Sequence, residues 1–272
     1  MECKKEKVVD AVAEYGGAVA GAAVGSGIGL VVAGPGGAAL GSLAGLAIEK
    51  IFQGIGKEIK ERNLSKNENR KIGSVFEQAK KRVEENMRSG RELRTDDFFE
   101  EKADDRSTAD ELLENLLFTS QRESEERKLP YMANLYANVL FDNRKTWKEN
   151  IDRETANQLI KTVGDLSYRQ IVIVGVIGAY QTKLITEPPR RSENLGYINI
   201  NFRYIASEVY DLYLKSFIEA NEIVPYADVI KPSTLSLRGY GVAMYNLMEL
   251  WKLPKDETMN DVLSYFSGRK MR

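Results

Sequence analysis

Apolar residues recur along most of this chain at the three- and four-residue steps of an α-helix. Ile72, Val75, Phe76, Ala79 and Val83 share one helical face, and Ser65-Lys66-Asn67-Glu68 just before them has the form of a capping box. A second narrow face is made by Ala109, Leu112, Leu113, Leu116, Leu117 and Ser120, with Ser107 placed to cap it. Met132, Leu135, Tyr136, Val139 and Leu140 form a third within residues 129–141, and Ala156, Leu159, Ile160 and Val163 a fourth. A further capping box, Ser167 to Gln170, opens residues 171–180, which are apolar nearly all round and are therefore expected to be buried. No proline interrupts the chain between Gly37 and Leu129, so the middle reads as a helical bundle or a set of helical hairpins.

Beyond Pro188-Pro189 the periods shorten. A β-like piece is expected at 197–202, a helix at 203–215, strands at 217–224 and 233–238 joined by a proline-containing loop, and a closing helix at 239–250. That order of elements resembles a winged-helix domain. The predicted fold class is mainly α. A glycine-zipper helical hairpin spans 1–62, a charged helical bundle 63–149, and a small winged-helix-like α+β domain with a basic tail 150–272.

The N-terminal region stands apart. Residues 15–48 carry no charge. One turn signal, Gly34-Pro35-Gly36, divides the run, with Pro35 able to open a second helix reaching about Arg62. Glycine repeats every fourth residue at Gly17, Gly21, Gly25 and Gly29, and again at Gly37, Gly41 and Gly45. On a helix each series is a groove without side chains, along which another backbone can approach closely. Each glycine costs about 0.8–1 kcal/mol against alanine in a helix interior. Close helix packing or a bilayer must offset that cost, and the groove is accordingly read as the oligomerisation face. Residues 15–33 would be roughly 28 Å long as a helix, close to a bilayer core. Other readings are weaker. Gly25-Ser26-Gly27-Ile28-Gly29 looks like a nucleotide loop, but Leu30 stands where the dinucleotide fingerprint needs glycine and no Gly-Lys-Ser/Thr follows. A flexible linker would be serine-rich rather than rich in Ala, Val and Leu. A hairpin buried in a soluble assembly remains an alternative. A signal peptide is not expected, because Glu2, Glu6, Asp10 and Glu14 run through the region that would have to be basic.

Composition narrows the chemistry. The chain has no histidine and one cysteine, Cys3, so it holds no Ser-His-Asp triad, no disulfide of its own and no cysteine-based zinc site. No enzyme activity, metal or cofactor is expected. Net charge is −1, but it is unevenly spread: residues 50–94 carry a net +6 and residues 96–126 a net −9. Either the two blocks pair with each other, or the basic one faces anionic lipid through Lys57, Lys60, Arg62, Lys66, Arg70 and Lys71. The helix expected at 203–215 balances Glu208 and Asp211 against Arg203 and Lys215, so specific nucleic-acid binding is not expected.

The glycine series Gly17 to Gly45, the stretch 126–141 and the string 166–170 together resemble bacterial abortive-infection-type proteins. The resemblance implies a defence effector that damages the host membrane when phage is sensed. The expected function is thus a non-enzymatic, membrane-acting effector, pore-forming or membrane-disrupting. It would be cytoplasmic and conditionally associated with the inner membrane. Its partners would be further copies of itself, anionic lipid and a regulatory or sensor protein. The alternatives are a soluble self-assembling scaffold with the glycine hairpin in its oligomer core, and a winged-helix transcriptional regulator.

Overall fold

A computed structural model of the chain describes residues 43–101, 106–144, 149–186, 200–220 and 234–267. The described part is mainly helical, with nine α-helices and one small antiparallel sheet. The chain divides into two compact units, 1–157 and 158–272.

In the first unit α1 (Leu43–Glu61) is followed by α2 (Lys66–Arg88), a 3-10 turn (Asp97–Phe99), α3 (Thr108–Arg122) and α4 (Leu129–Val139). Helices α2, α3 and α4 pack on one another, because each buries the apolar face its sequence period sets out. Phe52 of α1 places its ring edge-on to Phe76 of α2 at 5.3 Å and to Tyr136 of α4 at 6.2 Å. Tyr136 is fully buried, and its phenol donates to the Ala109 carbonyl at 3.4 Å; burial first, then the charge of Asp110, push its pKa far up.

The capping box expected at Ser65 forms, and Ser107, expected as a cap, forms a full box as well. The Ser65 hydroxyl accepts from the Glu68 N–H at 3.3 Å while the Glu68 carboxylate accepts from the Ser65 N–H at 2.9 Å. Ser107 and Asp110 repeat the exchange at the start of α3. Hydrogen bonds from Ser65 and then Gln121 hold the Glu68 carboxyl at about 2, against an ordinary 4.5. A carboxyl lowered in the folded state contributes stability above its unfolded pKa, and that contribution is lost as pH falls through the folded value. Stability should therefore decline between about pH 4.5 and pH 2. Glu68→Gln keeps an acceptor for the cap but cannot titrate, so its stability should fall less steeply across that window. Urea melts at several pH values check this, and equal slopes in the two proteins would refute it.

Helix α5 (Arg153–Asp165) contains the division between the units, at Asn157 and Gln158. The second unit is arranged around α6 (Tyr168–Gln181), whose residues 170–178 are all buried. Ser167 caps it, with Gln170 completing the box. Packed on α6 are α7 (Ile200–Leu214), α8 (Tyr240–Leu247), α9 (Glu257–Ser267) and the 3-10 turn Leu250–Lys252. Strands β1 (Ile218–Ala220) and β2 (Leu235–Leu237) pair antiparallel, with Ile218 opposite Leu237 and Ala220 opposite Leu235.

Two local expectations change here. Residues 200–202 are helical rather than extended, because Phe202, Ile205, Ala206, Val209 and Leu212 bury one continuous helical face. The closing helix stops at Leu247, and Glu249 takes a left-handed conformation, φ 55°, that ends helical continuation before Leu250.

Candidate functional site

Among the expected site residues, the described ones gather on α1 and the start of α2. Ile48, Ile51, Phe52, Ile55 and Ile59 lie on one face of α1, and all are buried. The opposite face exposes Lys50, Gln53, Gly54, Lys57, Lys60 and Glu61. The buried face docks on α3 and on the 3-10 turn, and reaches α2 and α4 through Phe52.

A ring of charges edges this contact. Arg62, just past the end of α1, donates to Glu114 of α3 at 2.8 Å and lies 4.4 Å over the Phe118 ring. Arg106 bridges the two helices, bonding Glu114 and approaching Glu58 of α1 at 3.3 Å. The charge of Glu114 works to raise the Arg106 pKa, burial opposes it, and the net shift is upward. Lys50 pairs with Glu101 beyond the 3-10 turn. These side chains are at least one-fifth exposed, where an ion pair contributes only about 0–1 kcal/mol. Burying a large apolar side chain contributes roughly 1.5–3 kcal/mol, and α1 buries five. Apolar burial therefore holds α1, and the ion pairs set its register.

Arg70 forms a two-pronged pair with Glu126 and also donates to Asn67 at 2.8 Å. Lys71 is buried, and its ammonium donates to the carbonyls of Gln121 at 3.2 Å and Glu123 at 2.6 Å. Those carbonyls close the C-terminal end of α3, where backbone acceptors lack helical partners and a cation is favoured. Arg62, Arg70 and Lys71 are thus engaged by the acidic stretch 96–126. Lys57, Lys60 and Lys66 are exposed. Gly45 is buried within α1. Gly17, Gly21, Gly25, Gly29, Gly37 and Gly41, and the turn Gly34-Pro35-Gly36, lie outside the described residues.

Two buried polar clusters had no sequence signal. Lys128 and Glu123, with side chains 2% and 5% exposed, pair at 2.5 Å, and Glu123 also accepts from the Glu125 N–H at 2.8 Å. Arg94 is 4% exposed; it grips Asp96 through two bonds of 2.7 Å, donates to the Val139 and Ile151 carbonyls, and lies 3.7 Å over the Phe98 ring. Burial works to raise the Asp96 carboxyl, but the Arg94 bonds and charge outweigh it and the net shift is downward. Nearby, Asn138 accepts from Asn86 at 2.8 Å and from Arg91, while Asn143 donates to the Asn138 and Phe141 carbonyls. This knot ties the chain after α2 to the chain after α4, where Leu93 bridges Phe141.

Beside the knot is an open cleft of about 440 Å³ lined by Thr95, Asp96, Arg144, Glu149 and Asn150. Asp96 is committed to Arg94 and Arg144 to Asp142. Among the described residues no group of acidic, Cys or His side chains is arranged to hold a metal, and no helix is long and apolar enough to cross a membrane. The chain matches no known protein family, curated protein or solved structure.

Proposed function

We propose that this protein is a non-enzymatic, membrane-acting effector that assembles through its glycine zipper. The observation that carries this reading is the uncharged run of residues 15–48, with glycine at every fourth residue from Gly17 to Gly29 and again from Gly37 to Gly45, continuing into the first turns of α1. Such a groove lowers the cost of bringing helices together where water cannot satisfy the backbone. The abortive-infection resemblance supports a defence role, with conditional association at the inner membrane and self-assembly as its core. Attraction to anionic lipid falls to Lys57, Lys60 and Lys66, which point away from the bundle. The second unit is the sensing part, and the winged-helix reading of it rests on α7, the β1–β2 pair and α8 occurring in that order. Glu208 and Asp211 of α7 are held by Arg169, Gln170 and Lys215. That arrangement fits packing against α6 better than reading a base sequence.

One observation favours a soluble self-assembling scaffold instead: half of the basic block is turned toward the acidic stretch. Expression of the full chain with membrane fractionation and a potential-sensitive dye separates the readings. The effector should sediment with membranes and depolarise cells. Gly21→Leu with Gly25→Leu, which fills the groove, should abolish both crosslinked assembly and depolarisation, although leucine itself favours insertion. Unchanged assembly and depolarisation in that variant would sink the zipper. A parent chain that assembles but stays in the supernatant with no depolarisation would establish the scaffold.

A further inference from the structure

We propose that α1 is a latch: a helix that detaches from the first unit on its own, uncovering Ile48, Ile51, Phe52, Ile55 and Ile59 while α2, α3 and α4 stay packed. As a control on membrane action the proposal rests on the effector reading; as a statement about opening it does not.

Three features of α1 point this way. First, among the described residues it is attached through one face only. Helices α2, α3 and α4 share a core of their own, in which Val75, Ala79, Leu112, Leu113, Leu116, Met132 and Ala133 are at most 1% exposed. The opposite side of α1, at Gln53, Gly54, Lys57 and Lys60, faces solvent. A peripheral helix with one buried face is the kind of element that opens below the global unfolding free energy.

Second, α1 is weakened internally without a packing return. Gly54 is exposed, and a Cβ built there would meet no atom within 4 Å. Glycine at such a position lowers helix stability while serving no close approach. Gly56 differs, since its Cβ would touch Phe76 at 3.4 Å.

Third, the polar edge of the contact is made of partly exposed ion pairs, Lys50 with Glu101, Arg106 with Glu58 and Arg62 with Glu114. These set the register but are screened by salt and add little resistance to opening. The face uncovered is a helical stripe flanked by Lys50, Lys57 and Lys60, the pattern of a helix that lies in a bilayer interface. Docked, it is hidden in the bundle. Released, it would become available to lipid.

Hydrogen exchange of the full chain, read by peptide mass spectrometry without lipid, tests the latch. Amides of residues 47–61 should exchange through an opening at least tenfold more populated than the one that exposes α2 to α4. Gly54→Ala should slow α1 exchange about fivefold and leave α2 to α4 unchanged, the roughly 1 kcal/mol glycine–alanine difference converted at about 1.4 kcal/mol per tenfold. Ile55→Ala should speed α1 exchange by more than tenfold. Exchange of α1 at the same rate as α2 to α4, with no selective effect of Gly54→Ala, would overturn the proposal. Sedimentation with vesicles of phosphatidylglycerol and phosphatidylcholine then separates the two ideas. Selective opening without vesicle binding leaves the latch standing and defeats the membrane reading. Vesicle binding without selective opening does the reverse.

Discussion

Gly241→Ala should unfold the second unit or destabilise it by more than about 3 kcal/mol, among the largest effects a single methyl group can have. A Cβ at Gly241 would lie 2.0 Å from the Phe217 carbonyl oxygen and 2.9 Å from its carbon. Both are backbone atoms and cannot rotate aside. The same Phe217 oxygen accepts from the Arg238 N–H at 2.9 Å, so moving it also breaks the approach to β2. The neighbouring close contacts are graded by what stands in the way. At Gly178 the obstacle is the Tyr245 ring at 2.3 Å, itself buried against Trp251; at Gly175 it is mainly the tip of Leu253 at 2.2 Å. The cost should therefore fall from Gly241→Ala through Gly178→Ala to Gly175→Ala. Urea denaturation of the three variants checks the order, and a Gly241→Ala protein as stable as the parent would contradict the packing of α8 on the chain entering β1.

Glu123→Ala should destabilise the first unit by about 3–5 kcal/mol, because it breaks a buried ion pair by removing the carboxylate bonded to the Lys128 ammonium. It also removes the acceptor of the Glu125 N–H, so the bend between α3 and α4 loses two bonds at once. The pair itself need not be stabilising overall. Desolvating both charges costs several kcal/mol per ion, and the attraction repays this only in good geometry. Replacing both, as Glu123→Leu with Lys128→Met, should be far milder than Glu123→Ala alone. Thermal melts of the single and double variants decide this. A double variant as damaged as the single one would mean that the site needs the charges for packing as well as for each other.

The helices were legible because their information is local. Ser65 with Glu68 and Ser167 with Gln170 are start signals readable within four residues and form the reciprocal bonds expected, and Ser107, expected as a cap, gains the same exchange with Asp110. The burial of α6 followed from an apolar run with no polar face. Residues 200–202 misled because Asn201 and Phe202 carry no helix start signal, and only the shared buried face extending to Leu212 makes them the first turn of α7. The end of α8 at Leu247 had no local mark either, since Glu249 is an ordinary helix former held left-handed by its surroundings.

The candidate site divided along the same line. Its opposing charge blocks are a one-dimensional pattern and were visible as such, whereas the apolar face of α1, Ile48 to Ile59, emerged only with the docked helix. Which lysine or arginine meets which carboxylate was not, because the chain offers 39 basic and 40 acidic residues and pairing across fifty positions is set by how helices cross. Thus Lys71, Arg70 and Arg62 looked alike as letters, yet one closes the end of α3, one clips Glu126 and one lies over Phe118. The sequence by itself determined a mainly helical chain, the caps of α2, α3 and α6 and the core-facing positions of those helices, all of which depend on neighbours within a few residues. The tertiary structure alone decided the buried Lys128–Glu123 pair, the Arg94 knot and the docking of α1, because burial is a property of where the chain returns, and no local period encodes that.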